Sequence, residues 1–167
     1  MPFSMRQHQA PGEVGLALLE AKRAAFWSTL LSLGFDPNSA CTGIYAGVEL
    51  GPDVFTKSIY HVKAAELFLH FLLSLLDPQR ARQTFLDCWP VCEPRQSRDF
   101  RTASFKWLDQ ERKQTLEDKT GRWPIAVPIR RSYFDECRGE RFENVMWALV
   151  VFVAEHLLVK DLKSFAS

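Results

Sequence analysis

The sequence predicts an all-α domain, and three observations carry that prediction. Apolar residues recur at helical spacing, as Leu19, Phe26, Leu30 and Leu33 do near the N-terminus. Two richer runs, Leu67–Leu76 and Val145–Ala154, are ten residues each. That is half of the ~20 apolar residues a membrane-spanning helix needs, so both read as helices buried inside a domain. Strand signals are weak, and the best of them, "IAVPI", is interrupted by Pro128. A chain of 167 residues suits one domain, and thirteen Phe supply ample core material. We divide it into an N-terminal extension over 1–20, partly flexible, a helical domain over 21–163 with an irregular loop at 117–131, and a tail over 164–167.

The elements follow in order. Val14 to Leu33 is a first helix, stopped by Gly34. "FDPNSA" is a turn in which Asn38 or Ser39 caps the next short helix. "LGPDVF" is another turn with a short helix behind it. From His61 to Leu76 the polar positions are Lys63, Glu66, His70, Ser74 and Asp77, spaced 3, 4, 4 and 3. That spacing makes one thin polar stripe on an otherwise buried helix. Pro78 begins "PQRARQTFLDCW", since proline is tolerated in a first turn, and "WPVCEP" closes it. Ser97 caps a helix that runs to about Leu116, with Phe100, Ser104 and Trp107 on its core face. The loop 117–131 holds one Gly and two Pro, and loops of that length are commonly functional or mobile. Ser132 caps the short turn "YFDEC", and Gly139 leads into a central last helix with Glu140 and Glu143 in its first turn.

Composition narrows the function. A net charge of +1 argues against a globally basic nucleic-acid binder. The N-terminus lacks a basic start followed by an apolar core, so neither a secretory signal nor a membrane partner is expected. The expected compartment is reducing, with Cys41, Cys88, Cys92 and Cys137 as free thiols. Cys88 and Cys92 have no second ligand pair, and His8, His61, His70 and His156 are scattered, so no metal or other cofactor is expected. No nucleophile motif or phosphate loop is present. Gly43, Gly47 and Gly51 read as close helix approach or turns, a Glu66–His70 pair as a surface contact, and His156 as a core histidine beside Val145, Leu149 and Phe152. The chain is not expected to be an enzyme.

Charge is unevenly distributed. Residues 78–131 hold twelve Lys/Arg against seven Asp/Glu, whereas the flanking segments each come to −2. The basic middle is therefore the place to meet an acidic partner. Arg98, Arg101, Phe105 and Arg112 share one helix face opposite the core face. That face reads either as a contact patch or as a solvated surface. Arg130 and Arg131 are a second basic candidate. Phe105, Tyr133 or Trp123 would mark an exposed apolar docking patch.

Several blocks in order resemble the N-terminal region of the HAUS augmin-like complex subunit 6 family. They are "FWSTLLSLGFDP", "LGPDVFTK", "FLLSLLDPQRARQTFLDCWP", "DFRTASFKWL" and "SYFDECRGERFENVMWALVVFV", covering about residues 24–160. The resemblance implies a calponin-homology-like helical domain, similar to those of the Ndc80 and Nuf2 kinetochore proteins. It also implies a non-enzymatic part of augmin, which binds the side of a microtubule and recruits the γ-tubulin ring complex for branching nucleation in the spindle. Implied partners are augmin subunit 7, the other augmin subunits and microtubules, with the γ-tubulin ring complex reached only through the whole complex. The implied location is the cytoplasm and cytoskeleton, at the mitotic spindle and microtubule-organising centre. The alternative is a module that docks a sister subunit with little tubulin contact. Tubulin is acidic, so the candidate contacts are Arg95, Arg98, Arg101, Phe105, Arg112, Lys113, Arg130 and Arg131. Arg138 and Arg141 read as structural, paired with Asp135, Glu136 or Glu140.

Overall fold

The computed structural model describes residues 11–119 and 121–166, and the first ten residues of the expected N-terminal extension lie outside them. Helix α1 runs Pro11–Ser32, α2 Pro37–Ala40, α3 Val54–Lys57, α4 His61–Leu76, α5 Pro78–Thr84, α6 Pro94–Asp118, α7 Arg131–Glu136 and α8 Glu140–Phe165. A single 3-10 turn, Gly43–Tyr45, lies between α2 and α3. No strand occurs among the described residues, as the weak strand signals anticipate.

Helix α4 is the hub, packing on α3, α5, α6 and α8. Its residues Ala64 to Leu69 are all buried. Phe68 is fully enclosed and meets Phe26, Trp27, Phe35 and Phe55 at ring centroid distances of 5.2–6.1 Å. The first half of α8 is the second buried element, from Phe142 to Val153. Burial then ceases, and Leu158, Leu162 and Phe165 are exposed. Helix α8 is thus central over half its length and lies largely at the surface over the rest, where only Leu157 packs partly on the core. The beginning of α1 is likewise at the surface, with Val14, Leu16 and Leu18 exposed, and contact with the rest of the domain begins at the half-buried Leu19.

Several start signals are set by residues other than those the sequence favours. Asp36, not Asn38 or Ser39, caps α2: its carboxylate accepts from the Asn38 amide at 3.0 Å and from the Ser39 hydroxyl. Helix α6 starts at Pro94 rather than Ser97, because Glu93 and Gln96 form a reciprocal capping box. Ser97 is freed for a tertiary bond to Glu66. Helix α7 starts at Arg131 with no side-chain cap, so Ser132 does not play that part. Pro78 opens α5 as read, with Asp77 accepting from the Arg80 amide at 3.0 Å.

Gly139 explains the clasp before α8. Its φ of 86° and ψ of 174° fit glycine alone. Its amide donates to the Phe55 carbonyl at 3.1 Å, fastening α3 to the start of α8. Arg138 and Arg141 are both exposed and form no ion pair among the described residues, so they are not the structural clasp. The ion pair that does hold α8 comes from α1: Arg23 Nε meets Glu143 Oε2 at 2.7 Å, with Lys22 donating to Asn144 beside it.

Candidate interaction surfaces

The arginine face of α6 illustrates what a helical wheel misses. Phe100, Ser104 and Trp107 are buried as read. The opposite face is not free, because α7 and the loop before it lie across part of it. Arg101 Nη1 donates to the carbonyls of Phe134 and Asp135, both at 2.9 Å, at the end of α7. That satisfies carbonyls a helix C-terminus leaves open. Phe105 is half-buried against Phe134, with ring centroids 5.8 Å apart. Arg112 Nη2 donates to the Ile125 carbonyl at 3.3 Å. Arg101, Phe105 and Arg112 therefore hold the scaffold together. Arg80 joins them: its guanidinium lies 4.3 Å over the Trp107 ring and bonds Glu111 and Gln110.

The connecting loop, described over residues 121–130, is packed down rather than hanging free. Trp123 is buried against Phe152, 5.7 Å between centroids, and its indole donates to the Val127 carbonyl at 3.4 Å. A Cβ on Gly121 would lie 2.7 Å from the Thr115 Cα, so only glycine permits this close approach to α6. Trp123 and Tyr133 are buried and Phe105 is half-buried, so these three do not form an exposed apolar patch.

The remaining candidates face solvent. Arg98, Arg130 and Arg131 are exposed and have no hydrogen bond or ion pair among the described residues. Arg95 is exposed and only 3.9 Å from Asp99, while Lys113 pairs with Asp109 at 2.9 Å, one turn away. Both are surface pairs of the kind that contributes little and exchanges readily with another partner. Arg82, Lys106, Lys119 and Arg122 are also exposed on the same central segment.

A second surface was not legible in the sequence. An open groove of about 780 Å³ has its floor on α4, at Leu67, His70, Phe71 and Ser74. The turn from Gly34 to Tyr45 forms one wall, and Trp89 to Cys92 forms the other. Its signal was present only as apolar residues inside predicted turns, "GIY" and "WPVC". The polar stripe of α4 leads into it but is not a solvent stripe. Glu66 is buried, accepting from the Tyr45 hydroxyl at 3.0 Å and from Ser97. Burial, then the Glu66 charge, pushes the Tyr45 phenol well above its ordinary range. His70 does not pair with Glu66. It stacks on Trp89 at 3.8 Å and 9°, and Tyr45 also stacks on Trp89 at 6.0 Å.

Burial lowers the His70 imidazole to about 4. The unfolded chain therefore takes up a proton near pH 6.5 that the folded chain refuses until about pH 4. Stability should fall as pH drops through that window. Urea denaturation at pH 7 and pH 5 should show this, and His70→Phe should flatten the difference. An equal slope in the variant would assign the pH dependence to other groups.

His156 is exposed on the second half of α8, not in the core, because burial stops one turn earlier. Cys88 is buried, Cys92 exposed, and all four cysteines are free. Among the described residues no cluster could hold a metal ion, and no helix is long and apolar enough to cross a membrane.

The sequence matches the HAUS augmin-like complex subunit 6 N-terminus family over residues 26–167. It is similar to the HAUS augmin-like complex subunit 6 of Danio rerio, with 30% identity over 141 residues, covering 83% of this chain and 16% of that protein. With its all-helical fold and a match over most of its length, this chain belongs to the family of HAUS augmin-like complex subunit 6 N-terminal domains.

Proposed function

We propose that this domain is a non-enzymatic, calponin-homology-like module of augmin that supports microtubule-lattice binding and, through the whole complex, branching nucleation. The observation that carries the reading is the exposure of the basic central segment. Arg80, Arg101 and Arg112 are drawn into the scaffold, but Arg95, Arg98, Arg130 and Arg131 remain at the surface. Cations so placed attract an acidic protein surface over a Debye length of ~8 Å at physiological salt. In this reading the domain works at the spindle beside augmin subunit 7 and the other augmin subunits. The γ-tubulin ring complex is reached through them, not through these residues.

Co-sedimentation with stabilised microtubules at low and physiological salt tests the proposal. The chain should pellet more at low salt. Reversing Arg95, Arg98, Arg130 and Arg131 to Glu should weaken pelleting by about tenfold or more, equivalent to ~1.4 kcal/mol. Because these side chains are exposed, the variant should keep its helical circular dichroism. Absence of pelleting at low salt, or equal pelleting by the folded variant, would overturn direct lattice contact.

A further inference from the structure

We propose that the cleft between the loop after α6 and the second half of α8 is a docking site for an extended, acidic protein segment. The cleft holds about 510 Å³ and opens to solvent. Arg122 reaches it from the loop, and His156, Lys160 and Lys163 reach it from α8. The three α8 residues are spaced 4 and 3, so they share one helix face. Phe152 and the half-buried Val159 form an apolar floor. No carboxylate lines the cleft: Glu155 and Asp161 of α8, and Glu117 and Asp118 before the loop, are all outside the lining. The side chains of Arg122, His156 and Lys160 are exposed and have no hydrogen bond or ion pair among the described residues. Basic groups gathered in one concavity from two elements raise the local concentration of an anionic partner.

Packing places Arg122 beside α8, because the residues on either side of it are fastened. Gly121 runs so close to α6 that a Cβ would lie 2.7 Å from the Thr115 Cα. The Trp123 amide donates to the Thr115 hydroxyl at 3.3 Å, and its ring meets Phe152 of α8 at 5.7 Å. A site that need not reorganise loses less free energy on binding. Spacing then selects the occupant. His156 and Lys163 are ~10 Å apart along the helix axis, too far for one compact anion to meet both. An extended chain puts alternate side chains on one side about 7 Å apart, near the ~6 Å rise from His156 to Lys160. Carboxylates at alternate positions thus meet successive basic groups, and the Arg122 fork takes one of them bidentately. A nucleic-acid strand would need exposed rings for its bases to stack on, whereas Phe152 is buried. None of Arg95, Arg98, Arg130 and Arg131 lines the cleft, so it is distinct from the surface proposed for the lattice.

A short peptide of alternating Glu and Gly tests this on the whole chain, with Gln/Gly and Lys/Gly peptides, inorganic phosphate and an oligothymidine strand as controls. Binding is followed by chemical-shift changes at the His156 ring, the Arg122 Nε and the Trp123 indole. The Glu/Gly peptide should shift these resonances, bind about tenfold or more tighter than every control, and weaken as salt rises. Arg122→Gln with Lys160→Gln should weaken it by about tenfold. Arg82→Gln with Lys106→Gln removes the same charge at exposed positions outside the cleft and should not. Gly121→Ala keeps the net charge but displaces the loop, so it should weaken binding by about threefold or more while helical circular dichroism is kept. Shifts confined to other surfaces, equal binding of phosphate or oligothymidine, or full binding by folded Arg122→Gln/Lys160→Gln or folded Gly121→Ala would overturn the proposal. The Arg95/Arg98/Arg130/Arg131 reversal should leave the shifts at these three residues in place, which separates this site from the microtubule reading.

Discussion

Phe68→Ala is expected to lower the free energy of unfolding by about 4 kcal/mol, a large share of what a domain of this size possesses. Phe68 is fully buried on α4. It touches four rings contributed by three other parts of the chain: Phe26 and Trp27 on α1, Phe35 beyond it, and Phe55 on α3. Truncation removes the apolar transfer term and leaves a cavity walled by rings that cannot all collapse inward. Each edge-on pair also loses its favourable geometry. Phe68→Leu, which refills much of the volume, should cost roughly half as much. Urea titration by circular dichroism measures both. A loss below ~1.5 kcal/mol for the alanine variant would mean that these four rings are not the common core of α1, α3 and α4.

Glu66→Ala is expected to cost about 3 kcal/mol, and Glu66→Gln about 1 kcal/mol. A buried carboxylate is unfavourable unless its oxygens are satisfied. Here each oxygen has a hydroxyl donor, Tyr45 on one side and Ser97 on the other. Alanine leaves both hydroxyls without their acceptor in a dry region, whereas the amide of Gln keeps one oxygen for one of them. The two variants thus separate loss of the acceptor from loss of charge. Because Tyr45 flanks Trp89, the alanine variant should also disturb the groove, seen as broadening of the Trp89 indole resonance. A Glu66→Ala protein as stable as the parent would show that the carboxylate is hydrated and not a tether.

The role of Glu66 shows where reading by residue pattern stops. The spacing from Lys63 to Asp77 correctly marked a mostly buried helix. It also marked the polar stripe as a surface, because a period of 3.6 identifies which residues share a face but not what covers that face. Tyr45 lies 21 positions before Glu66 and Ser97 lies 31 positions after it. No local rule connects them. The α6 face failed for the same reason. Arg101 and Arg112 look solvated in a wheel, yet long arginine stems pack well and their forks reach carbonyls of a segment folded back across them. Loop 117–131 looked irregular because it has no period, but Trp123 pins it to α8.

By itself the sequence determined the all-helical class, the burial of α4 and the first half of α8, the proline start of α5, and the basic bias of the central segment. All of these depend on composition or on residues a few positions apart, where backbone geometry fixes who is neighbour to whom. The ordered blocks were also sufficient to point to the family. The tertiary structure alone decided which arginines are scaffold and which are surface, that the loop is packed, and that an aromatic groove lies on α4. Those properties belong to contacts between residues far apart in sequence. They are settled by which faces must be covered to remove apolar area from water and satisfy buried polar groups, and only the packed chain shows how that was done.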